Sequence, residues 1–105
     1  MIYEFRSYEA APGRLQDLDR RFKELTWPIL ERLGFEQVGF WIPEESNRLV
    51  YLLRWKDRAE SEAKWKEFQA DPEWQKGKAD SEVNGPLLAT LVTEFWSPTE
   101  YSTAS

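Results

Sequence analysis

Asn47-Arg48-Leu49-Val50-Tyr51-Leu52-Leu53-Arg54-Trp55 is the stretch that decides the fold. Leu49, Tyr51, Leu53 and Trp55 fall on one side of an alternating strand, and Val50, Leu52 and Arg54 fall on the other. A strand that is apolar on both sides belongs in the middle of a sheet, with cover on both faces. Immediately before it, Glu44-Glu45-Ser46-Asn47 reads as a hairpin tip, and Phe35 to Ile42, closed by Pro43, reads as the preceding strand.

Further toward the N-terminus, residues 2–9 also alternate, with Tyr3, Phe5 and Ser7 opposite Ile2, Glu4, Arg6 and Tyr8. Ala11-Pro12-Gly13 ends that strand. From Arg14 to Leu33 the period changes: Leu15, Leu18, Phe22, Leu25 and Ile29 recur at steps of three and four, one face of a helix. Asp17 with Arg21 and Arg20 with Glu24 are spaced for ion pairs on its wet side. Pro28 lies inside the pattern and predicts a kink, or a break with Thr26 as a new cap. Gly34 is placed for a left-handed stop.

On the C-terminal side, Asp57 and Glu60 have capping-box spacing and open a helix carrying Ala59, Ala63, Trp65 and Phe68. Asp71-Pro72-Glu73 starts a shorter helix bearing Trp74. Asn84-Gly85-Pro86 turns into a last strand, Leu87 to Trp96. Residues 1–97 then form one domain, and residues 98–105 are expected to be a loose tail. The order strand, helix, strand, strand, helix, strand predicts an α+β, ferredoxin-like βαββαβ fold, a four-stranded antiparallel sheet with helices on one face. The other face is left bare and is expected to carry Ile2, Val50, Leu52 and part of the last strand. A second copy is the expected cover, giving a homodimer whose two sheets enclose a barrel.

The 105 residues include no His and no Cys. That removes cysteine nucleophiles, Ser-His-Asp triads and iron–sulfur clusters, and it leaves no usual zinc site. No acidic loop has the spacing of a calcium-binding loop, so neither metal nor cofactor is expected. A net charge of −5 argues against a nucleic-acid partner and against an anionic membrane surface. No apolar run has membrane-spanning length, and the alternating first residues do not form a signal peptide, so the expected address is the cytoplasm. No phosphate-cradling glycine loop occurs.

Three segments together carry a family resemblance: Met1 to Tyr8 followed by Pro12-Gly13, Asn47 to Trp55, and Ala70-Asp71-Pro72-Glu73-Trp74. The chain resembles the NIPSNAP family, of the dimeric α+β barrel superfamily, over roughly residues 1–97. The resemblance implies a ferredoxin-like subunit and a sheet-to-sheet dimer, with no assigned reaction for bacterial-type members. Related branches of the superfamily include cofactor-free monooxygenases, isomerases of small lactones and haem-handling enzymes. The haem branches lean on a His that this chain lacks, and family members often carry His where Tyr51 stands.

The residues themselves point to one constellation. Glu4, Arg6 and Tyr8 share a row on the first strand, and Arg54 lies on the neighbouring third strand. If both rows face the barrel, Arg54 meets Glu4 or Arg6 inside it. One reading is a pocket in which the arginines bind an anionic or enolisable oxygen and Glu4 acts as base, burial raising its pKa toward a useful range and the arginine neighbours opposing that rise. The other is an ion pair that satisfies charges at the dimer interface, the commoner outcome for such clusters. Gln37, Gly39 and Trp41 share a side of the second strand, where Trp41 is available to stack on a flat ligand, and Glu94 is a further carboxylate. The expected function is a small dimeric protein binding a small apolar or aromatic ligand, with Glu4, Arg6, Tyr8, Gln37, Trp41 and Arg54 as candidate contacts. The competing expectation is a cofactor-independent monooxygenase or isomerase acting on a small aromatic or enolisable substrate.

Overall fold

The computed structural model describes residues 1–104. Strands β1 (Ile2–Ala10), β2 (Glu36–Trp41), β3 (Arg48–Trp55) and β4 (Leu88–Trp96) form one antiparallel sheet in the order β2-β3-β1-β4. The doubly apolar β3 therefore does sit inside the sheet, paired with β1 from Ile2↔Trp55 to Glu9↔Arg48. The expected tail over 98–105 ends on Ser105, which lies outside the described residues, and residues 98–104 carry no helix or strand.

Residues 15–32 form one helical run in three parts: α1 (Leu15–Arg21), a π-helical turn (Phe22–Thr26) and α2 (Trp27–Arg32). Pro28 does not break the run. It cannot donate to the carbonyl four residues back, and the wider π turn just ahead of it, closed by Trp27 N–H donating to Phe22 C=O, absorbs the mismatch. Thr26 keeps helical backbone angles and makes no capping bond, so it does not restart the helix. Arg21 is not on the wet side either: it is buried, donating to Glu82 Oε2 at 2.9 Å, while Asp17 takes Arg14 and Arg20 instead. Gly34 has φ of +83°, the left-handed stop the spacing predicts.

Helices α3 (Arg58–Ala70) and α4 (Pro72–Ser81) open on Asp57 and Asp71, each accepting a backbone N–H from the third residue on. The apolar core lies between the sheet and the helices, where Leu18, Ile29, Leu30, Tyr51 and Leu53 have essentially no exposure. Helix α3 contributes little to it, since only Ser61 and Phe68 of its residues are buried.

The facing of the rows differs from expectation at three places. Ile2 pairs with Trp55 and packs against the core, so Tyr3 and Phe5 take its place on the bare face, beside the expected Val50 and Leu52 and the last-strand residues Val92 and Trp96. A register shift between Gln37 and Gly39 turns the second strand over, so Gln37 opposes the core residue Leu53 while Trp41 opposes Val50 on the other face. Arg54 also lies on the bare face, 3.0 Å from Glu36, with the whole thickness of the sheet between it and Glu4.

Candidate functional site

Glu4, Arg6 and Tyr8 lie under the helices, and α3 supplies what their charge requires. The Glu4 side chain has no exposure. Its Oε1 accepts from Trp55 Nε1 at 2.9 Å, Ser61 Oγ at 2.7 Å and Trp65 Nε1 at 3.0 Å. Its Oε2 accepts from Arg6 Nε at 2.6 Å and shares the Trp65 N–H at 3.1 Å. Ser61 and Trp65 are four apart on α3 and so project together onto one point of β1. Burial pushes the Glu4 carboxyl up, but the hydrogen bonds from Ser61, Arg6 and Trp65 and the Arg6 charge outweigh it and hold the group below the usual glutamate range. Of the two opposing effects expected on Glu4, the lowering one prevails. This carboxylate is an anchor matched by four donor groups.

The anchor fixes Arg6. The guanidinium is held by Glu4 through Nε, donates from Nη1 to Tyr8 Oη at 3.1 Å, and lies 3.9 Å over the Trp65 ring. Burial lowers its pKa, yet Tyr8, Tyr51 and Glu4 outweigh that and leave it permanently charged. Tyr8 and Tyr51 share a hydrogen bond of 2.6 Å, and burial followed by the Tyr8 contact pushes the Tyr51 phenol well above the usual tyrosine value. Nη2 of Arg6 donates no hydrogen bond among the described residues.

Arg6 lines a groove of about 630 Å³ between α3 and the β1–β4 edge of the sheet. Its apolar walls are Trp65, Ala70 and Phe95, and its cations are Arg6, Arg58 and Lys66. Arg58 stacks 3.9 Å over Phe95, as Arg6 does over Trp65. The carboxylates present are Glu4, already matched by four donors, and Glu62. The volume suits a small-molecule ligand, and the lining favours an apolar body with an anionic oxygen.

Of the six residues singled out in the sequence, Glu4, Arg6 and Tyr8 come together here. Gln37, Trp41 and Arg54 do not: they lie along β2 and β3, away from the groove. Glu94 is on the bare face, accepting from Trp96 Nε1 at 2.9 Å. The sequence pattern singles out neither Ser61, Arg58 nor Phe95, and gives Trp65 only a place on its helix. A serine four residues before a tryptophan on a helix with few apolar residues was the one available signal.

A family model described as NIPSNAP matches residues 3–103. Among solved structures, an uncharacterized NIPSNAP-like domain protein from Burkholderia xenovorans superposes with a TM-score of 0.83 at 21% identity, covering 96% of this chain and 87% of that one. A NIPSNAP family protein from Agrobacterium tumefaciens strain C58 gives 0.85 at 18% identity, covering 99% and 98%. An antibiotic biosynthesis monooxygenase shares the fold more distantly, with a TM-score of 0.64 at 10% identity over 94% and 99% of the two chains. No curated protein shows significant similarity to the chain. Among the described residues no helix is long and apolar enough to cross a membrane, and no cluster of carboxylates could hold a metal ion.

Proposed function

The chain belongs to the NIPSNAP family, and on that footing we propose that it binds a small apolar or aromatic molecule bearing an anionic oxygen in the groove between α3 and the sheet. One observation carries the reading: Arg6 is immobilised on three sides by Glu4, Tyr8 and the Trp65 ring, and it lines a groove that offers the apolar surfaces of Trp65, Ala70 and Phe95 beside it. A cation already fixed in place loses little entropy when an oxyanion arrives. On a chain of net charge −5, the cations Arg6, Arg58 and Lys66 at this one groove also favour approach of an anion there. The test is calorimetric titration with phenylacetate, an aromatic monocarboxylate. Saturable binding that is lost in Arg6→Met supports the reading, and equal heats from the parent and the variant overturn it.

The same proposal includes a homodimer formed through the bare sheet face. Val92, Trp96 and Trp41 are each about half exposed there, an apolar surface uncommon on a protein that works alone. Phe5 stacks on Trp96 at 4.8 Å and adds a second aromatic ring to that surface. Sedimentation velocity tests this arm separately from the ligand, and a monomer across the working concentration range removes it.

A further inference from the structure

Arg58 opens α3, seven residues before Trp65 and on the helix face that lines the groove. Glu62, four residues on, is spaced to pair with it. Among the described residues the two form no ion pair, and the Arg58 side chain makes no hydrogen bond. Its guanidinium crosses to β4 instead and lies 3.9 Å over the Phe95 ring. Phe95 stands opposite Glu4 in the β1–β4 register, and Glu4 is the residue that holds Arg6 at 2.6 Å. The groove thus carries two guanidiniums at one level of the sheet, each laid on a ring of its own. Both keep donors unspent among the described residues: Nη2 of Arg6 and the whole fork of Arg58.

We infer that the groove takes an aromatic dicarboxylate, with one carboxylate on Arg6 and the second on Arg58. This rests on the reading of the groove as an anion site and specifies its substrate class. The charges lining the groove are Arg6, Arg58 and Lys66 against Glu4 and Glu62. Glu4 is spent on Arg6 and on the donors of Trp55, Ser61 and Trp65. Glu62 is exposed and pairs with neither Arg58 nor Lys66 among the described residues. Of the two cations left, Arg58 is the one whose position is set, by Phe95, whereas Lys66 is exposed and held by no such contact. A planar fork laid on a ring gives up less freedom to a carboxylate than an ammonium on a loose stem. Because the two guanidiniums lie on different rings, a carboxylate on Arg6 leaves the Arg58 donors open, and a second carboxylate on the same aromatic body fills them.

The experiment is calorimetric titration of the full chain with the 1,2-, 1,3- and 1,4-phenylenediacetates, each beside its own monomethyl ester, which keeps the body and drops one charge. Low ionic strength is used, because Arg58 is exposed and salt would screen it. At least one diacid is expected to bind about tenfold tighter than its monoester, the effect of one added charge-assisted hydrogen bond. In Arg58→Gln, a change at an exposed position that breaks no ion pair, that ratio is expected to fall to about one. Ratios near one for all three diacids in the parent overturn the second anion contact while leaving the groove reading intact. A tenfold ratio that survives in Arg58→Gln overturns the assignment to Arg58. No binding of any acid to the parent overturns both readings.

Discussion

The guanidinium carbon of Arg6 lies 3.9 Å from the centroid of the Trp65 ring, and the same indole donates its Nε1–H to both oxygens of Glu4. One side chain on α3 therefore holds both members of an ion pair on β1, one by its face and the other by its edge. Trp65→Phe keeps the face and removes the edge. It is expected to retain a cation–π contact worth about 1 kcal/mol while costing about 1–2 kcal/mol for the lost charge-assisted bond. Trp65→Leu loses both and should cost about 3 kcal/mol or more. Urea denaturation of the two variants checks the order; equal losses would mean that the indole N–H contributes nothing.

Glu4 should also set the acid limit of the fold. Its pKa is lowered in the folded chain relative to an ordinary glutamate at about 4.3, so its ionised form favours folding. That contribution is complete above about pH 4.3 and is lost as pH falls through the lowered folded value. Glu4→Gln, which does not titrate, is expected to be less stable near neutrality and to lose less stability in this acid window. Urea midpoints measured on both proteins from neutral pH downward check this, and parallel curves would refute it.

Removing the anchor altogether separates α3 from the rest. That helix buries only Ser61 and Phe68, and its polar ties to the sheet run through Ser61 and Trp65 to Glu4. Glu4→Ala leaves the Arg6 charge and three donors buried without their acceptor, at a cost of about 3–5 kcal/mol. Backbone amides of α3 should lose hydrogen-exchange protection well before those of β3. Uniform loss of protection across both elements would show that α3 is held by something else.

Gly77 on α4 faces the π turn so closely that an added Cβ would collide with the Leu25 side chain. In an open helix, glycine to alanine would gain about 1 kcal/mol. Here the collision is expected to cancel that gain and leave Gly77→Ala less stable by about 1 kcal/mol. Leu25→Ala should remove the obstacle, so that the double variant is more stable than the sum of the single changes allows. A thermal-unfolding double-mutant cycle with no coupling would mean that α4 shifts freely.

The element order was legible because each change of period, from two to three-and-a-half and back, is bounded by Pro12-Gly13, Gly34, Asp57 or Gly85-Pro86. Facing was not. Alternation separates Glu4, Arg6 and Tyr8 from Tyr3, Phe5 and Ser7 but does not say which row the helices cover. Here the charged row is the covered one, because Ser61, Trp65 and Trp55 satisfy Glu4 and Glu4 satisfies Arg6. The extra residue between Gln37 and Gly39 is invisible to a count of alternating residues, and it alone puts Gln37 and Trp41 on opposite faces. The π turn was equally hidden, since Pro28 signals that something must give without saying what.

That opposition of faces makes the two halves of the proposed function separable. Val92 is half exposed on the bare face, opposite Ser7 in the register, and is not among the groove residues. A charge there would be buried unpaired in a sheet-to-sheet dimer, at a cost of several kcal/mol to association. In the isolated subunit the same side chain would stay wet at little cost. Val92→Asp is therefore expected to sediment as a folded monomer, while Arg6→Met, altered on the other side of the sheet, is expected to remain dimeric. If Val92→Asp also abolishes phenylacetate binding while its circular dichroism is unchanged, the groove depends on the partner copy, and the two faces do not act independently.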